Sequence, residues 1–183
     1  MHPLLATLTA AAIGFAPSNH APSGYAAQKS SKSPAAAHIR LSALESQLLG
    51  QINGVRARRG LRPFRFSKRL AAAAEQHSTS MAQKGYFSHD SANGNSFWKR
   101  IASFYGYRGY RSWSVGENLL WSSPEVTPAG GLRMWMTSPE HRANLLDRNW
   151  REIGLSAVHA ASAPGVYGGD EVTIVTADFG VRY

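Results

Sequence analysis

The order of its patterned segments constrains this chain more than anything else in it. Residues spaced for helices fill the first half, and two β-rich runs, 151–159 and 171–181, close it. Leu44, Leu48, Leu49, Ile52 and Val55 recur at helical spacing after Ser42, and Gly60 supplies a stop. A second helix is predicted over 68–84, capped by Ser67 and ended by Gly85, with Leu70, Ala74, His77 and Met81 on one face. A short amphipathic helix is expected over 96–105, a strand near 113–121, and a helix capped by Thr127 or Ser123 and running through Met136. Ser138-Pro139 opens another through Leu146. There is no βαβ alternation and no Gly-rich phosphate loop, so the expectation is an α+β layered fold with an antiparallel hairpin, and nucleotide chemistry has no support.

Of the chain's 183 residues, 43% are hydrophobic, enough for one domain with a sizeable core. That matters because the chain has no cysteine. Disulfides, thiolate zinc sites and a cysteine nucleophile are all excluded, and any metal must rest on histidine and carboxylate. The apolar run 4–16 has the length of a secretory signal and is too short to span a bilayer comfortably. Residues 1–27 are therefore read as a signal and processing region, 28–37 as a flexible linker rich in Ala, Pro and Ser, and 38–183 as the folded domain. The expected location is secreted or attached to the cell envelope, with no transmembrane span in the mature chain.

The formal charge of +9 resides mostly on that domain, since only Lys29 and Lys32 precede residue 38. Arg56, Arg58, Arg59, Arg62, Arg65, Lys68 and Arg69 form a run without an acid. A solvated basic face explains such a run, and so do an anionic envelope polymer or lipid headgroups as partner; nucleic acid ranks last. A second mixed segment interleaves Phe104, Tyr105, Tyr107, Tyr110 and Trp113 with Lys99, Arg100, Arg108 and Arg111, which suits an anionic amphiphile as well as core packing. His77, on the apolar stripe of its helix, is read as a buried, hydrogen-bonded core residue.

Five short motifs follow one another along the chain: Gln76-His77-Ser78, Tyr86-Phe87-Ser88-His89, Gly116-Glu117-Asn118-Leu119, Trp135 to Asn144 (Trp-Met-Thr-Ser-Pro-Glu-His-Arg-Ala-Asn), and Glu152-Ile153-Gly154. Asp178-Phe179-Gly180 adds a closing strand. In this order they resemble the bacterial branch of the CAP superfamily (cysteine-rich secretory, antigen 5, pathogenesis-related), also called the SCP domain, over roughly residues 42–183. The resemblance implies an α-β-α sandwich with a central antiparallel sheet and a cleft where two histidines and two acids converge. Residue by residue it assigns His89 and His141 as the histidines and Glu117 as the first acid. The second acid's position is held by Ser138, and Glu140 lies nearby but out of register.

The resemblance further implies that in some members the two histidines bind a divalent metal, here His89 and His141 with zinc or another divalent cation. Imidazole and carboxylate are what zinc accepts in the absence of cysteine. Spacing alone gives no metal motif, since the three residues lie 28 and then 24 positions apart. In structural terms, Glu117 can fix loops by accepting backbone hydrogen bonds, Glu140 complements a helix N-terminus, and Arg142 and Asn144 serve packing and hydrogen bonding. Two functions stay open: a non-catalytic extracellular module binding a lipid-like, anionic or protein ligand, and a metal-dependent, peptidase-like hydrolase. No serine lies in a nucleophile motif.

Overall fold

The computed structural model describes residues 41–183, so the expected signal region and linker lie outside the described residues. Helix α1 (Ala43–Ala57) opens on a complete capping box: the Ser42 hydroxyl accepts from the Glu45 amide and the Glu45 carboxylate accepts from the Ser42 amide. The other Glu45 oxygen accepts the Ala157 amide at 2.8 Å, so one side chain both starts the helix and docks it on the sheet. Strand β1 (Arg65–Phe66) leads into α2 (Lys68–Lys84), which Ser67 caps and Gly85 ends in the left-handed region at φ 70°. Helix α3 (Phe97–Phe104) and strand β2 (Trp113–Ser122) follow, then α4 (Pro128–Thr137), capped by Thr127, and α5 (Pro139–Leu146). Strands β3 (Glu152–Ala160) and β4 (Val172–Arg182) close the chain as the expected long hairpin.

The four strands run in the order β1-β3-β4-β2, with β4 antiparallel to both neighbours over most of its length. Helices α2 and α3 pack on one face of the sheet, and α1, α4 and α5 on the other, which is the expected α-β-α sandwich. Alternation along the strands divides the core in two. Leu120, Ile153, Leu155, Val175, Ala177 and Phe179 meet α1, α4 and α5, while Val115, Leu119 and Ile174 face the α2 side. Strand β1 is the element that sequence reading omits. At two residues it has no periodicity to detect, and it pairs parallel to β3 as an edge.

The basic run divides on folding. Arg58, Arg59, Arg62, Arg65, Lys68 and Arg69 are exposed, but Arg56 is fully buried. Its guanidinium donates to the Arg62, Leu145 and Asp147 carbonyls at 2.8, 2.7 and 3.0 Å and lies over the Phe64 ring at 3.7 Å. It therefore acts as an internal brace that closes the C-terminal end of α5 against α1.

The glycine of the Glu152-Ile153-Gly154 motif has a specific reason. A Cβ at Gly154 would fall on the Leu70 and Ala71 backbone of α2, well inside van der Waals contact, so the helix rests directly on the strand. Backbone on both sides leaves nothing to yield. Gly154→Ala is expected to cost about 3 kcal/mol, the upper range for overpacking, read as a lowered midpoint in urea denaturation; a midpoint within error of wild type would show that α2 can lift off the strand freely.

Candidate functional site

On β2 the tetrapeptide Gly116-Glu117-Asn118-Leu119 places successive side chains on opposite faces of the sheet, and each face uses its share differently. Gly116 and Asn118 face α5. A Cβ on Gly116 would come within 3.0 Å of the Trp150 ring. Asn118 donates to the His141 carbonyl at 2.9 Å, and Asn144 donates to Asn118 Oδ1 at 2.9 Å and to the Glu117 carbonyl at 3.3 Å. These amides fasten α5 to the edge strand. Asn144 thus has the hydrogen-bonding role expected of it, while Arg142 is exposed.

Glu117 points the other way, under α2 and α3, and its carboxylate is completely buried. His89 Nδ1 donates to Oε1 at 2.8 Å, and the Arg100 guanidinium pairs with Oε2. Arg100 also donates to the His89 carbonyl at 3.1 Å and to Ser91 Oγ at 3.3 Å, so one guanidinium holds both the carboxylate and the loop that carries His89. His77 completes the arrangement from α2. Its Nε2 donates to the Ser88 carbonyl at 2.8 Å, and because a carbonyl only accepts, that nitrogen carries the proton. Asp178 lies directly opposite Glu117 in the β2-β4 register, fully buried, with no donor to either oxygen among the described residues.

The charges in this cluster divide unequally. Burial raises the Asp178 pKa, and the adjacent Glu117 charge raises it further, so Asp178 stays protonated well above the usual carboxylate range and can satisfy Glu117 as a donor. Burial also works against ionised Glu117, but Arg100 first and then the His89 hydrogen bond outweigh it and hold its carboxyl below the ordinary value. Burial pushes His77 down to about 4, leaving it neutral at physiological pH.

The five sequence candidates separate accordingly. His89 and Glu117 are brought into direct contact. His141 is buried in the first turn of α5. Ser138 is buried between α4 and α5 in the N-cap position, though its side chain makes no capping bond. Glu140 is exposed in the first turn, as the helix-terminus reading has it. Sequence reading missed Arg100, which it grouped with surface cations, and Asp178, which it saw only as part of a strand. The pattern Phe97, Arg100, Ile101 at helical spacing is the one sign that Arg100 faces inward.

A metal has a poor donor set here. Both Glu117 oxygens are engaged, one by a cation, and among the described residues no group of three or more His, Asp or Glu is arranged to hold an ion. The three protein ligands of a catalytic zinc are thus not assembled by His89, Glu117 and His141. His89 has the form of a ligand, with Nδ1 anchored on a carboxylate and Nε2 buried without a hydrogen-bond partner among the described residues.

Comparison with known proteins agrees with this architecture. The Cysteine-rich secretory protein family (CAP) matches residues 49–179, and the chain belongs to that family despite having no cysteine. It is 31% identical to the Bacillus subtilis protein YkwD over 122 residues, 67% of this chain and 45% of YkwD. Among solved structures it is similar to an extracellular SCP-domain protein of Bacillus anthracis, at 27% identity and TM-score 0.55, covering 73% of this chain and 39% of that one. The fold is also shared with an outer surface protein of Borrelia burgdorferi, at 17% identity and TM-score 0.59, covering 75% and 92% of the two chains. The chain thus spans less than half of YkwD and of the anthrax protein.

Two outcomes follow from the cluster. Arg100→Met leaves a buried carboxylate without its cation and should cost about 3–5 kcal/mol. Adding Glu117→Gln should recover part of that loss, and strictly additive losses in a double-mutant cycle would refute the coupling. The second concerns pH. Folding takes up a proton at Asp178, so above its unfolded pKa stability falls by about 1.4 kcal/mol per pH unit until the raised folded value is reached. His77 has the opposite sign: folding releases its proton between about 4 and 6.5, and stability rises with pH there. In wild type the two oppose each other. Asp178→Asn should remove the fall and unmask the rise up to about pH 6.5, measured as unfolding free energy from pH 4 to 8; parallel profiles would place Asp178 ionised in the folded state.

Proposed function

We propose that this chain is an extracellular, non-catalytic binding module whose ligand lies in the groove between α2 and α3. One observation carries the reading: the ionised carboxylate at the centre of the cluster, Glu117, has both oxygens engaged by buried partners. A general base needs a lone pair free for a proton, and a metal ligand needs one free for the ion. The Glu117 carboxylate is wholly buried behind His89 and Arg100 and presents no lone pair to the groove, and it positions the His89 loop and α3 instead. These two elements form one wall of a groove of about 790 Å³, with α2 as the other and His77 and Arg100 in its floor.

The lining favours a polar or anionic ligand over a lipid chain. Gln76, Thr79, Gln83 and Asn95 supply amides and a hydroxyl, Lys84, Lys99 and Arg100 supply positive charge against the one acid, Glu75, and Tyr86 and Phe104 supply apolar surface. An extracellular setting is supported by the kinds of protein that share the fold, described as an extracellular protein and an outer surface protein. The rival, a metal-dependent hydrolase, rests on His89 Nε2 and His141.

The test is a titration of isotope-labelled protein with oligosaccharides, acidic peptides and phospholipid micelles, read by NMR. Saturable shifts at Gln76, Gln83, Asn95 and Lys99 are expected, and Ser80→Trp, which fills the groove, should remove them. Shifts confined to other surfaces would sink the groove. Zinc that raises the melting temperature saturably in wild type but not in His89→Ala would move the reading to the metal-dependent alternative.

A further inference from the structure

The strand register gathers one end of the sheet into a single basic and aromatic surface that the groove does not include. Arg65 pairs with Glu152, Glu152 with Gly180, and Trp113 with Arg182, so β1 and β2 begin where β4 ends. Backbone hydrogen bonds join the segments in sequence: Arg65 donates to the Arg151 carbonyl at 3.0 Å, Arg151 to Gly180 at 3.2 Å, and Arg111 to Tyr183 at 2.6 Å. The exposed arginines of the 58–69 run therefore continue, through Arg151 and Arg182, into the 107–111 loop with exposed Arg108 and Arg111. On this end Glu152, which accepts from the Tyr105 hydroxyl at 2.5 Å and pairs with Arg65 at 3.9 Å, offsets one of these positive charges and leaves the others unpaired with it.

The same end carries Tyr107, Tyr110 and Tyr183, exposed at 41, 44 and 63%. They are three of the four large exposed hydrophobic residues among those described, the other being Val166. Arg182 stacks over the Tyr110 ring at 4.6 Å, which holds ring and guanidinium side by side. Exposed Leu, Ile, Phe or Trp, which a surface entering a bilayer uses, are missing from this set. Tyrosine instead offers a flat face with a polar rim, and arginine a planar fork for carboxylate or phosphate.

We propose that this sheet end binds an acidic polysaccharide, with sugar faces on the tyrosines and acid groups on the arginines. This surface is separate from the groove and would retain the protein on an envelope polymer whatever the groove holds. Binding is measured for the full chain against polygalacturonate, neutral dextran, polyglutamate, oligo-dT and phosphatidylglycerol vesicles. Polygalacturonate is expected to bind tightest, with an affinity that falls about tenfold or more between 50 and 250 mM salt. Arg108→Glu/Arg111→Glu should weaken it at least about tenfold, whereas Arg133→Glu/Arg142→Glu, the same charge change at exposed arginines of α4 and α5 outside both this surface and the groove, should leave it unchanged. Tyr107→Ala/Tyr110→Ala should weaken polygalacturonate but not polyglutamate, and unchanged melting temperatures show that each variant is folded. Equal losses from the two charge pairs, or tighter binding of polyglutamate, oligo-dT or vesicles, would overturn the proposal.

Discussion

A buried carboxylate held by a buried guanidinium sets the geometry of the α2-α3 side of this molecule. Glu117 on β2 and Arg100 on α3 are both withdrawn from water, at a desolvation cost of several kcal/mol for each ion. The pair repays that cost only because its surroundings are complete. His89 takes the second oxygen, Arg100 also reaches the His89 carbonyl and Ser91, and Asp178 is kept neutral beside it. Loop 86–95 has little regular structure of its own, so these contacts decide its path. With no disulfide available, the polar cluster cross-links loop, helix and strand as a bridge would elsewhere.

The opposite face is joined by different chemistry. Neutral amides, Asn118 and Asn144, hang α5 on the edge strand, and Arg56 gathers the carbonyls at its C-terminal end. The two motifs Gly116 to Leu119 and Trp135 to Asn144 are therefore parts of one joint rather than separate features. Trp135 contributes from the core, where its indole donates to the Leu119 carbonyl at 3.2 Å. Alternation along β2 explains how four consecutive residues serve both joints at once: the charged residue goes to one layer, the amide to the other.

Helix and strand positions were legible because they rest on periodicity and caps, which are local. Ser42, Ser67, Thr127, Gly85 and the 138–139 pair mark boundaries that the fold keeps. The pairing of His89 with Glu117 was legible only through family resemblance, since 28 residues of intervening chain carry no geometric signal. Arg100 was misread for a physical reason. Arginine in a stretch with Lys99, Arg108 and Arg111 looks like surface charge, and only the partner on another strand makes burial tolerable. Asp178 was passed over similarly, because its significance lies in the β2-β4 register, which no local pattern reveals. Two-residue β1 was invisible, being defined entirely by its partner.

One composition thus supports two kinds of arginine. Arg56 and Arg100 are buried and donate to carbonyls or a carboxylate in fixed geometry, a role for which the rigid fork suits better than the compact, strongly hydrated ammonium of lysine. At the end of the sheet Arg151 and Arg182 are half-buried and donate to nearby carbonyls, whereas Arg58, Arg59, Arg62, Arg108 and Arg111 are exposed to water. Lys68 and Arg69 even occupy the first turn of α2, where no acid complements the helix dipole and positive charge is mildly unfavourable. Fold stability does not call for cations there. Their placement beside the other cations of the 58–69 run fits an anionic partner, which would relieve at once the repulsion among those charges and the unfavourable end of the helix. The basic character that appears as one run in the sequence thus separates, in three dimensions, into a single brace, Arg56, that holds the sandwich together and a set of exposed cations that the fold itself does not require.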